Sequence, residues 1–380
     1  MTLQRSPGPE PALSAIRALT SRGLPGAPDL ADVAGLRGPP DGGLDLVRCA
    51  EGERLLGPLH HAASSGEVQL SDDATQLLVD RHSAVMAWCI MIEARLLEVR
   101  DWFAEAGGVE HRVIKGPAVA HLDEDDPADR SFADLDLLVA SADLDRAVRA
   151  LQACGATRPW PERRRGFDRR FAKSVTLTSG EGIEVDLHRT LCDGVHGARI
   201  HLDELFDAPD EFRIGGEAVK ALSRPHRMVH AAYHAVLGSP SPRLLSLRDL
   251  ARYLTAADLQ PDAILPIVRR WRGEAVLAVA VRETLSQLSF KAPEWSSWLA
   301  EVRIDPAERR LVDRQRTEGS SFGPGKFELF RELGGFHDKL AYGFAAVWPT
   351  SEHLRARGLT RSDQLHQLAP GRILRSAGAP

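Results

Sequence analysis

The sequence predicts an α+β fold in which a small mixed β-sheet core is flanked by N-terminal helices and by a C-terminal helical domain. Ala, Leu and Arg are abundant and aromatic residues make up only 6% of the chain, which favours helices over an all-β sandwich. Strand patterns cluster in one central stretch, and helical patterns fill most of the chain before and after it. The length of 380 residues suggests about two domains.

The N-terminal part is expected to be a lead-in followed by helices. Residues 1–43 are rich in Pro and Gly and predict a flexible, loosely packed segment with at most one short helix. Helical patterning then covers residues 44–108 and is strongest over residues 83–106, where apolar side chains recur on one face. The Gly-Gly pair at residues 107–108 is a typical helix end.

The central stretch, residues 109–220, is predicted to be the α/β core. Its order is strand, helix, strand, helix, strand, strand, with a hairpin-like turn between the last two strands. The predicted strands cover residues 111–115, 133–139, 171–178 and 182–188, and the predicted helices cover residues 117–122 and 141–154. An acidic loop covers residues 123–129, and its residues 123–126 are most simply interpreted as solvated.

The rest of the chain is predicted to be helical. Residues 221–350 form the C-terminal helical domain of this prediction, and residues 351–380 form a polar tail. The apolar periodicity is clearest at residues 224–237, 244–256, 263–270 and 275–288.

Composition argues against several classes of protein. A net charge of -5 gives no overall attraction to nucleic-acid phosphates. The four cysteines are scattered without metal-ligand spacing, and no disulfide framework is expected. No apolar run of about 18 residues occurs, so we expect a cytoplasmic protein without a membrane partner.

Two aspartates mark the second predicted strand. Asp134 and Asp136 are two residues apart, so both side chains point to one face of the strand, about 7 Å apart. Magnesium prefers a few carboxylates together with substrate phosphates, which suits such a pair. The alternative is a solvent-facing strand edge.

A third aspartate lies on the last predicted strand. Asp186 shares one face with Glu184 and His188, while the intervening apolar residues form the other face. If the two strands pair, Asp186 completes a cluster of three carboxylates that can hold two metals for in-line nucleotidyl displacement. The alternative is an amphipathic strand with a polar face.

A lysine and a glycine stand between the first predicted strand and its helix. Gly116 allows close approach of the backbone to phosphate, the helix offers free N–H groups, and Lys115 adds positive charge. Lys-Gly pairs are common, so this signal depends on its order relative to the aspartates.

That order resembles the uncharacterised bacterial branch of the DNA polymerase β-like nucleotidyltransferase superfamily. The pattern appears here as VIKG at residues 113–116, Arg130, DLDLLV at residues 134–139 and VDLH at residues 185–188. Two later segments, LSLRDLARYL at residues 245–254 and WPTSEHLR at residues 348–355, look like the family's C-terminal half. The resemblance extends over roughly residues 45–358.

The resemblance implies a metal-dependent nucleotidyltransferase with a specific set of residues. Asp134, Asp136 and Asp186 would bind the metal and carry catalysis. The implied nucleotide contacts are Lys115, Gly116 and Arg130. Lys-Gly stands where the wider superfamily has Gly-Ser, a departure that removes the serine hydroxyl and makes Lys115 its replacement at the triphosphate.

Several weaker features have plain alternatives. His226, His230 and His234 recur every four residues on one helix face, a spacing that can bind zinc but that also suits a cleft wall or a packed helix. We interpret Glu184, His188, His230 and His234 as candidate substrate contacts. The arginines of residues 163–170 can grip phosphate, although such a run is usually a solvated loop.

The predicted reaction is transfer of a nucleoside monophosphate from a nucleoside triphosphate (NTP) to a hydroxyl or phosphate acceptor, with Mg²⁺ or Mn²⁺ as cofactor. The acceptor stays open between a small molecule, a peptide and an RNA. One alternative is a metal-dependent glycosyltransferase using Asp-x-Asp, although such enzymes place the motif after a long stretch of alternating strands and helices. Another is a non-catalytic binding protein that retains the fold, against which the three carboxylates argue.

Overall fold

The computed structural model describes residues 10–33, 35–39, 41–318 and 324–368. Within them, one six-stranded mixed sheet is surrounded by helices, which confirms the predicted α+β class. The beginning of the expected lead-in, residues 1–9, and the end of the expected tail, residues 369–380, lie outside this description. No described helix combines the length and the apolar character needed to cross a bilayer.

The sheet has the strand order β3-β4-β2-β1-β6-β5. Its strands are β1 (His111–Val113), β2 (Leu135–Val139), β3 (Ser174–Thr178), β4 (Glu184–His188), β5 (Asp210–Ile214) and β6 (Glu217–Ala221). The pairs β2–β4 and β1–β6 are parallel, and the other neighbours are antiparallel. The two central strands that carry the predicted aspartates therefore lie side by side.

One hairpin of this sheet was missing from the sequence prediction. Strands β5 and β6 pair antiparallel around Gly215 and Gly216, which have φ angles of 57° and 89°. A two-residue turn with both φ angles positive is the favoured connection of a hairpin, and two glycines adopt it without strain. The sheet thus has six strands where the sequence analysis predicted four.

The N-terminal helices pack more closely than the composition suggested. They are α1 (Glu10–Thr20), α2 (Leu44–Glu53), α3 (Leu56–Ser64) and α4 (Asp72–Glu105). In α1, Ile16 and Leu19 are fully buried, in a core shared with α2, α3 and α10 (Leu244–Leu254). Helix α4 contains the strongest predicted helical stretch, residues 83–106, almost entirely, and it begins at Asp72, where the Ser71 hydroxyl accepts a hydrogen bond from the Ala74 N–H and caps the helix.

The remaining helices lie within the sheet region and after it. In the sheet region they are α5 (Pro117–Asp123), α6 (Leu144–Ala153), α7 (Asp168–Phe171) and α8 (Gly194–Ala198). After α9 (Arg224–Leu237) and α10 they are α11 (Pro261–Arg270), α12 (Glu274–Gln287), α13 (Pro293–Glu301), α14 (Pro306–Glu318), α15 (Pro324–Glu332), α16 (Phe336–Val347), α17 (Ser351–Ala356) and α18 (Arg361–Leu368).

The sheet separates two apolar cores. Leu135, Leu137 and Val139 of β2 belong to the core that includes side chains of α4 and α6. Leu138 belongs to the opposite core, which is built mainly from α9, α10, α11 and α12. Because side chains alternate along a strand, Asp136 lies on the same face as Leu138. The polar residues of the site therefore face the C-terminal helices.

The first two residues of the acidic loop are buried and paired, so its interpretation as solvated was wrong for Asp123 and Glu124, whereas Asp125 and Asp126 are exposed. The Asp123 carboxylate lies 2.7 Å from Arg227 Nε, and the Glu124 carboxylate lies 3.1 Å from an Arg248 nitrogen. The side chains of Asp123 and Glu124 are 3% and 1% exposed. Asp125 alone among these three projects into solvent. Buried charges require such partners, and here the arginines come from α9 and α10.

Candidate active site

The two central parallel strands bring Asp136 and Asp186 together. In the register of β2 with β4, Asp136 is the direct partner of Asp186, and Leu138 is the partner of His188. In-register neighbours on parallel strands point to the same face of the sheet. The side-by-side pairing that the sequence left conditional is therefore present.

His188 and Thr176 hold the two carboxylates in place. His188 Nε2 lies 2.8 Å from Asp136 Oδ1, and its Nδ1 lies 3.3 Å from the backbone oxygen of Thr190. The Thr176 hydroxyl, on the neighbouring strand β3, donates to Asp186. Asp136 and His188 are almost fully buried, whereas Asp186 is partly exposed.

Lys115 neutralises the buried end of the site. Its Nζ lies 2.9 Å from Asp136 Oδ2 and 3.3 Å from Asp134 Oδ2. Burial alone would raise the pKa of Asp136, but Lys115 and His188 outweigh it and hold that pKa well below its ordinary value. Burial likewise opposes the charge of Lys115, and the two carboxylates outweigh it and raise the pKa of the ammonium group.

Asp134 has a different position from the other two aspartates. It precedes β2, its side chain is 28% exposed, and its contact with the site is the Lys115 ammonium. The three side chains whose ligand atoms lie within 4.8 Å of one another are Asp136, Asp186 and His188. The predicted set of Asp134, Asp136 and Asp186 is thus spread over the site, with Asp134 on its exposed side.

The helix end after Gly116 offers few free donors. Gly116 has φ 60° and ψ -116°, a conformation that favours glycine, and it precedes α5 as predicted. However, Pro117 has no N–H, and the N–H groups of Ala118 and Ala120 donate to the backbone oxygens of Lys115 and Gly116. Phosphate binding at this end therefore has to depend on side chains more than on the backbone.

Arg130 is engaged in a structural ion pair. Its Nη2 lies 2.9 Å from Asp249 Oδ2 and its Nε lies 3.3 Å from Asp249 Oδ1, while Nη1 donates to the Ser131 backbone oxygen. Both side chains are 8% exposed. The arrangement ties the segment before β2 to α10, and the predicted nucleotide contact by Arg130 stays a prediction.

The histidines of α9 separate into two kinds. Burial lowers the pKa of His230 to about 3 and the pKa of His234 well below its ordinary value, and His188, Lys115 and Lys173 contribute to these shifts. Both imidazoles are therefore neutral rings beside the carboxylates. His226 instead forms a hydrogen bond with the Ser223 hydroxyl, with Nδ1 2.8 Å from Oγ, and its ring stacks on Trp271.

These three histidines do not form a metal group. Among the described residues, the geometry required for shared ligation is found at Asp136, Asp186 and His188. Glu184, the remaining candidate contact, is exposed at the start of β4 and pairs with Thr178 across the sheet.

Two arginines near the site were not found by sequence reasoning. Glu53 Oε2 accepts from the Leu244 N–H at 2.8 Å, which brings the end of α2 to the start of α10 and sets Arg54 beside Arg243. Burial and Arg243 lower the pKa of Arg54, whereas Asp134 and Asp136 raise it. Among the described residues neither guanidinium forms an ion pair with a carboxylate. No sequence motif identifies these arginines, because they are far apart in the chain, at the end of α2 and at the start of α10.

The donor set fits a hard divalent cation. Carboxylate oxygens are the ligands that Mg²⁺ and Mn²⁺ prefer, and Asp136 and Asp186 supply them from adjacent strands. An imidazole that hydrogen-bonds a ligating carboxylate fixes its orientation, which is the relation of His188 to Asp136. The Lys115 ammonium against Asp134 and Asp136 shows that this pocket accepts positive charge.

The fold and the site together are those of a nucleotidyltransferase. A mixed sheet places two carboxylates on adjacent parallel strands, next to a Lys-Gly turn and under a helical layer. Residues 43–284 match the family described as uncharacterised nucleotidyltransferase, and the chain belongs to this family. No curated protein and no solved structure matches the chain.

Proposed function

We propose that the protein transfers a nucleoside monophosphate from an NTP to a hydroxyl or phosphate acceptor in the cytoplasm, with Mg²⁺ or Mn²⁺ as cofactor. The observation that carries this proposal is the register of β2 with β4, which puts Asp136 directly beside Asp186. Two carboxylates in this relation can share metal between an attacking and a leaving oxygen. Family membership supports the same class of reaction.

The metal would be held by Asp136 and Asp186, with Asp134 joining from the exposed side. When bound, it would neutralise charge on the triphosphate and make the acceptor oxygen a better nucleophile. His188 keeps the Asp136 carboxylate oriented through the hydrogen bond from Nε2. Asp186 is more exposed than Asp136, and it would take the proton of the acceptor.

The triphosphate would be bound by cationic side chains. Lys115 already lies between Asp134 and Asp136, Arg54 interacts with the same carboxylates, and Arg243 lies beside Arg54. Arginine matches phosphate geometry through paired N–H donors, so these side chains compensate for the missing serine hydroxyl and for Pro117.

Labelled NTPs test this proposal directly. We incubate the protein with each α-labelled NTP, Mg²⁺ or Mn²⁺ and a fractionated cell extract, and we expect metal-dependent labelling of one fraction with release of pyrophosphate. Asp186→Asn should lower the rate by about a hundredfold or more, because the site loses a charged ligand. Glu211→Gln, an exposed change on β5, should leave the rate unchanged.

The alternatives predict other results in the same assay. A glycosyltransferase would consume UDP- or GDP-sugars and leave NTPs intact. A non-catalytic binding protein would retain ligand without turning over any of them. Labelling that is equally strong without divalent metal would contradict the proposal.

A further inference from the structure

A cavity of about 330 Å³ lies at the β3 edge of the sheet. Its walls come from β3, from the segment before it, and from α14, α15, α16 and the end of α17. The volume is in the range of sites that bind small organic molecules. Most of the helical wall lies beyond residue 284, outside the stretch that the family match covers.

One residue, Thr176, connects the cavity to the carboxylate cluster. Thr176 lines the cavity, and its hydroxyl donates to Asp186. Lys173 also lines it, and the charge of Lys173 contributes to the low pKa values of His230 and His234. Thr176 therefore lies between a molecule in the cavity and the Asp186 carboxylate.

The strand order places this cavity opposite the proposed triphosphate site. Lys115 follows β1, on one side of the β2–β4 pair, and Thr176 lies on β3, on the other side. In-line transfer requires the attacking and leaving oxygens on opposite sides of the phosphorus atom. An acceptor approaching from β3 satisfies this requirement when the triphosphate lies against Lys115.

The walls combine aromatic rings with an excess of positive charge. Phe167, Phe171 and Tyr342 pack against one another with ring centroids 5.3 to 6.0 Å apart. At the rim, the Arg357 guanidinium lies 5.7 Å from the Trp160 ring. The charged lining residues are five basic side chains (Arg158, Arg163, Lys173, Arg314 and Arg357) and three acidic ones (Asp168, Asp193 and Glu328).

Four of these charges form two ion pairs within the wall. Arg158 pairs with Asp168, and Arg314 pairs with Glu328. Without counting Arg163, the balance that remains is positive, because Lys173 and Arg357 line the cavity with the single carboxylate of Asp193. Aromatic walls favour a flat apolar group, and the cationic excess favours an anionic group.

We propose that this cavity is the acceptor site, and that the acceptor is a small hydroxyl-bearing organic anion with a flat apolar portion. This inference rests on the proposed nucleotidyl transfer. It assigns the acceptor to the side of Asp186, with its hydroxyl towards that carboxylate and its anionic group near Lys173 and Arg357.

Filling the cavity tests the assignment. Ala346, on α16, lines the cavity, and Ala346→Trp adds bulk to it. Leu340→Trp places the same side chain on the same helix at a position that is 55% exposed, and it serves as the matched control. The probe is the small-molecule fraction of a cell extract together with α-labelled NTP, and the affinity for the NTP with Mg²⁺ is measured in parallel. Circular dichroism and the unfolding midpoint show that both variants fold.

We expect Ala346→Trp to lower labelling of the small-molecule fraction at least about tenfold, since overpacking the cavity should weaken binding of the acceptor by about that factor or more. NTP affinity should stay within about twofold of wild type, and Leu340→Trp should behave as wild type. Unchanged labelling by Ala346→Trp, lost NTP affinity, or labelling confined to RNA or protein fractions would each overturn the inference. Absence of labelling by wild type would instead refute the nucleotidyl transfer itself.

A binding measurement without turnover tests the charge preference. Phenyl phosphate and benzyl alcohol are compared by saturation-transfer NMR on wild type, Arg357→Glu and Arg355→Glu. Arg355 is exposed on the same helix and does not line the cavity, so it is the matched control. We expect stronger transfer to phenyl phosphate in wild type and Arg355→Glu, and loss of that difference in Arg357→Glu. Equal signals from both probes in wild type would contradict an anionic ligand.

Discussion

At the residue scale, Lys115 allows the buried carboxylate of Asp136 to remain charged. Asp136 is 2% exposed, and an isolated buried carboxylate would become neutral. The ammonium group of Lys115 and the Nε2–H of His188 keep it ionised. A charged carboxylate is the form that binds a cation. Lys115 stabilises Asp136 in the free protein, and in the proposed reaction it would also supply positive charge for a phosphate.

Arg54 and Arg243 give a prediction about nucleotide affinity. Replacing either residue by Gln should weaken NTP binding about tenfold or more, because a charge-assisted hydrogen bond contributes roughly 1.5–3 kcal/mol. The affinity should also become less sensitive to salt. Arg48→Gln is the control, because Arg48 is exposed on α2, the helix that ends at Arg54. Equilibrium titration at two salt concentrations measures both effects, and unchanged affinity in both variants would contradict the assignment.

His188 gives a prediction about the metal. As a positioning residue for Asp136, its replacement by Gln should raise the half-saturating Mn²⁺ concentration by roughly 10- to 100-fold. Electron paramagnetic resonance of free Mn²⁺ reports the metal affinity, and the unfolding midpoint shows whether the fold is retained. His201→Gln, at a histidine that is 55% exposed, is the control. A weaker fold with unchanged metal affinity would assign His188 to packing alone.

The sequence predicted the carboxylates better than their surroundings. Asp136 and Asp186 are recognisable because alternation along a strand puts each on a polar face, and only their mutual register was left open. Arg54 and Arg243 come from separate helices and meet through the Glu53–Leu244 hydrogen bond, which no local pattern encodes. Side chains that reach a site from distant elements depend on tertiary packing, so single-sequence reasoning does not find them.

At the element scale, buried ion pairs attach the C-terminal helices to the sheet region. Arg130 and Asp249 pair at 8% exposure, and Arg248 and Glu124 pair nearby. Asp249→Ala would leave the Arg130 guanidinium buried without its carboxylate, and we expect a loss of roughly 3–5 kcal/mol of unfolding free energy. Urea denaturation measures this loss.

Two further variants make that test specific. The double variant Arg130→Met with Asp249→Leu should recover much of the loss, because it removes both charges together. Glu274→Ala, which breaks the exposed pair with Arg269, should cost no more than about 0.5 kcal/mol. If Asp249→Ala costs no more than Glu274→Ala, the pair does not hold α10 to the sheet region.

The elements that were missed show what periodicity leaves out. The hairpin β5–β6 was detectable from the Gly-Gly pair at residues 215–216, whose positive φ angles suit a two-residue turn. The burial of the acidic loop was not detectable from the sequence. The partners of Asp123 and Glu124 are Arg227 and Arg248, which lie in helices over a hundred residues later. The residues that favour a turn are adjacent in the sequence and can be recognised there. The partner of a buried charge is set by the tertiary fold and cannot.

At the scale of the whole molecule, the site lies where the sheet meets helices from both ends of the chain. The N-terminal helices share a core with α10 and with Leu288, and the C-terminal helices share the opposite core with the sheet. Arg54, with Arg243 beside it, then interacts with the carboxylates from the N-terminal helices, and His230 interacts with Asp136 from α9. Changes in how these helices pack should therefore alter nucleotide affinity as well as stability.

Buried histidines make the whole molecule sensitive to acid. Among the described residues, burial lowers the pKa of each of seven histidines, and for His230 the value is about 3. The seven are His82, His111, His196, His226, His230, His234 and His353. An unfolded chain protonates its histidines near pH 6.5, while the folded chain resists protonation. Unfolding is therefore favoured as the pH falls below about 6.5, with a slope of up to about 1.4 kcal/mol per pH unit for each group.

His226→Gln isolates one of these contributions. The side chain lies outside the carboxylate cluster, and Gln can retain a hydrogen bond to Ser223. We expect urea-derived stability of wild type to be nearly constant from pH 8 to 7 and to fall steeply from pH 6.5 to 5.5, and the fall should be shallower in His226→Gln. His201→Gln, at the exposed position, should follow wild type. Parallel curves for wild type and His226→Gln would mean that His226 gains a proton in the folded protein as readily as in the unfolded chain.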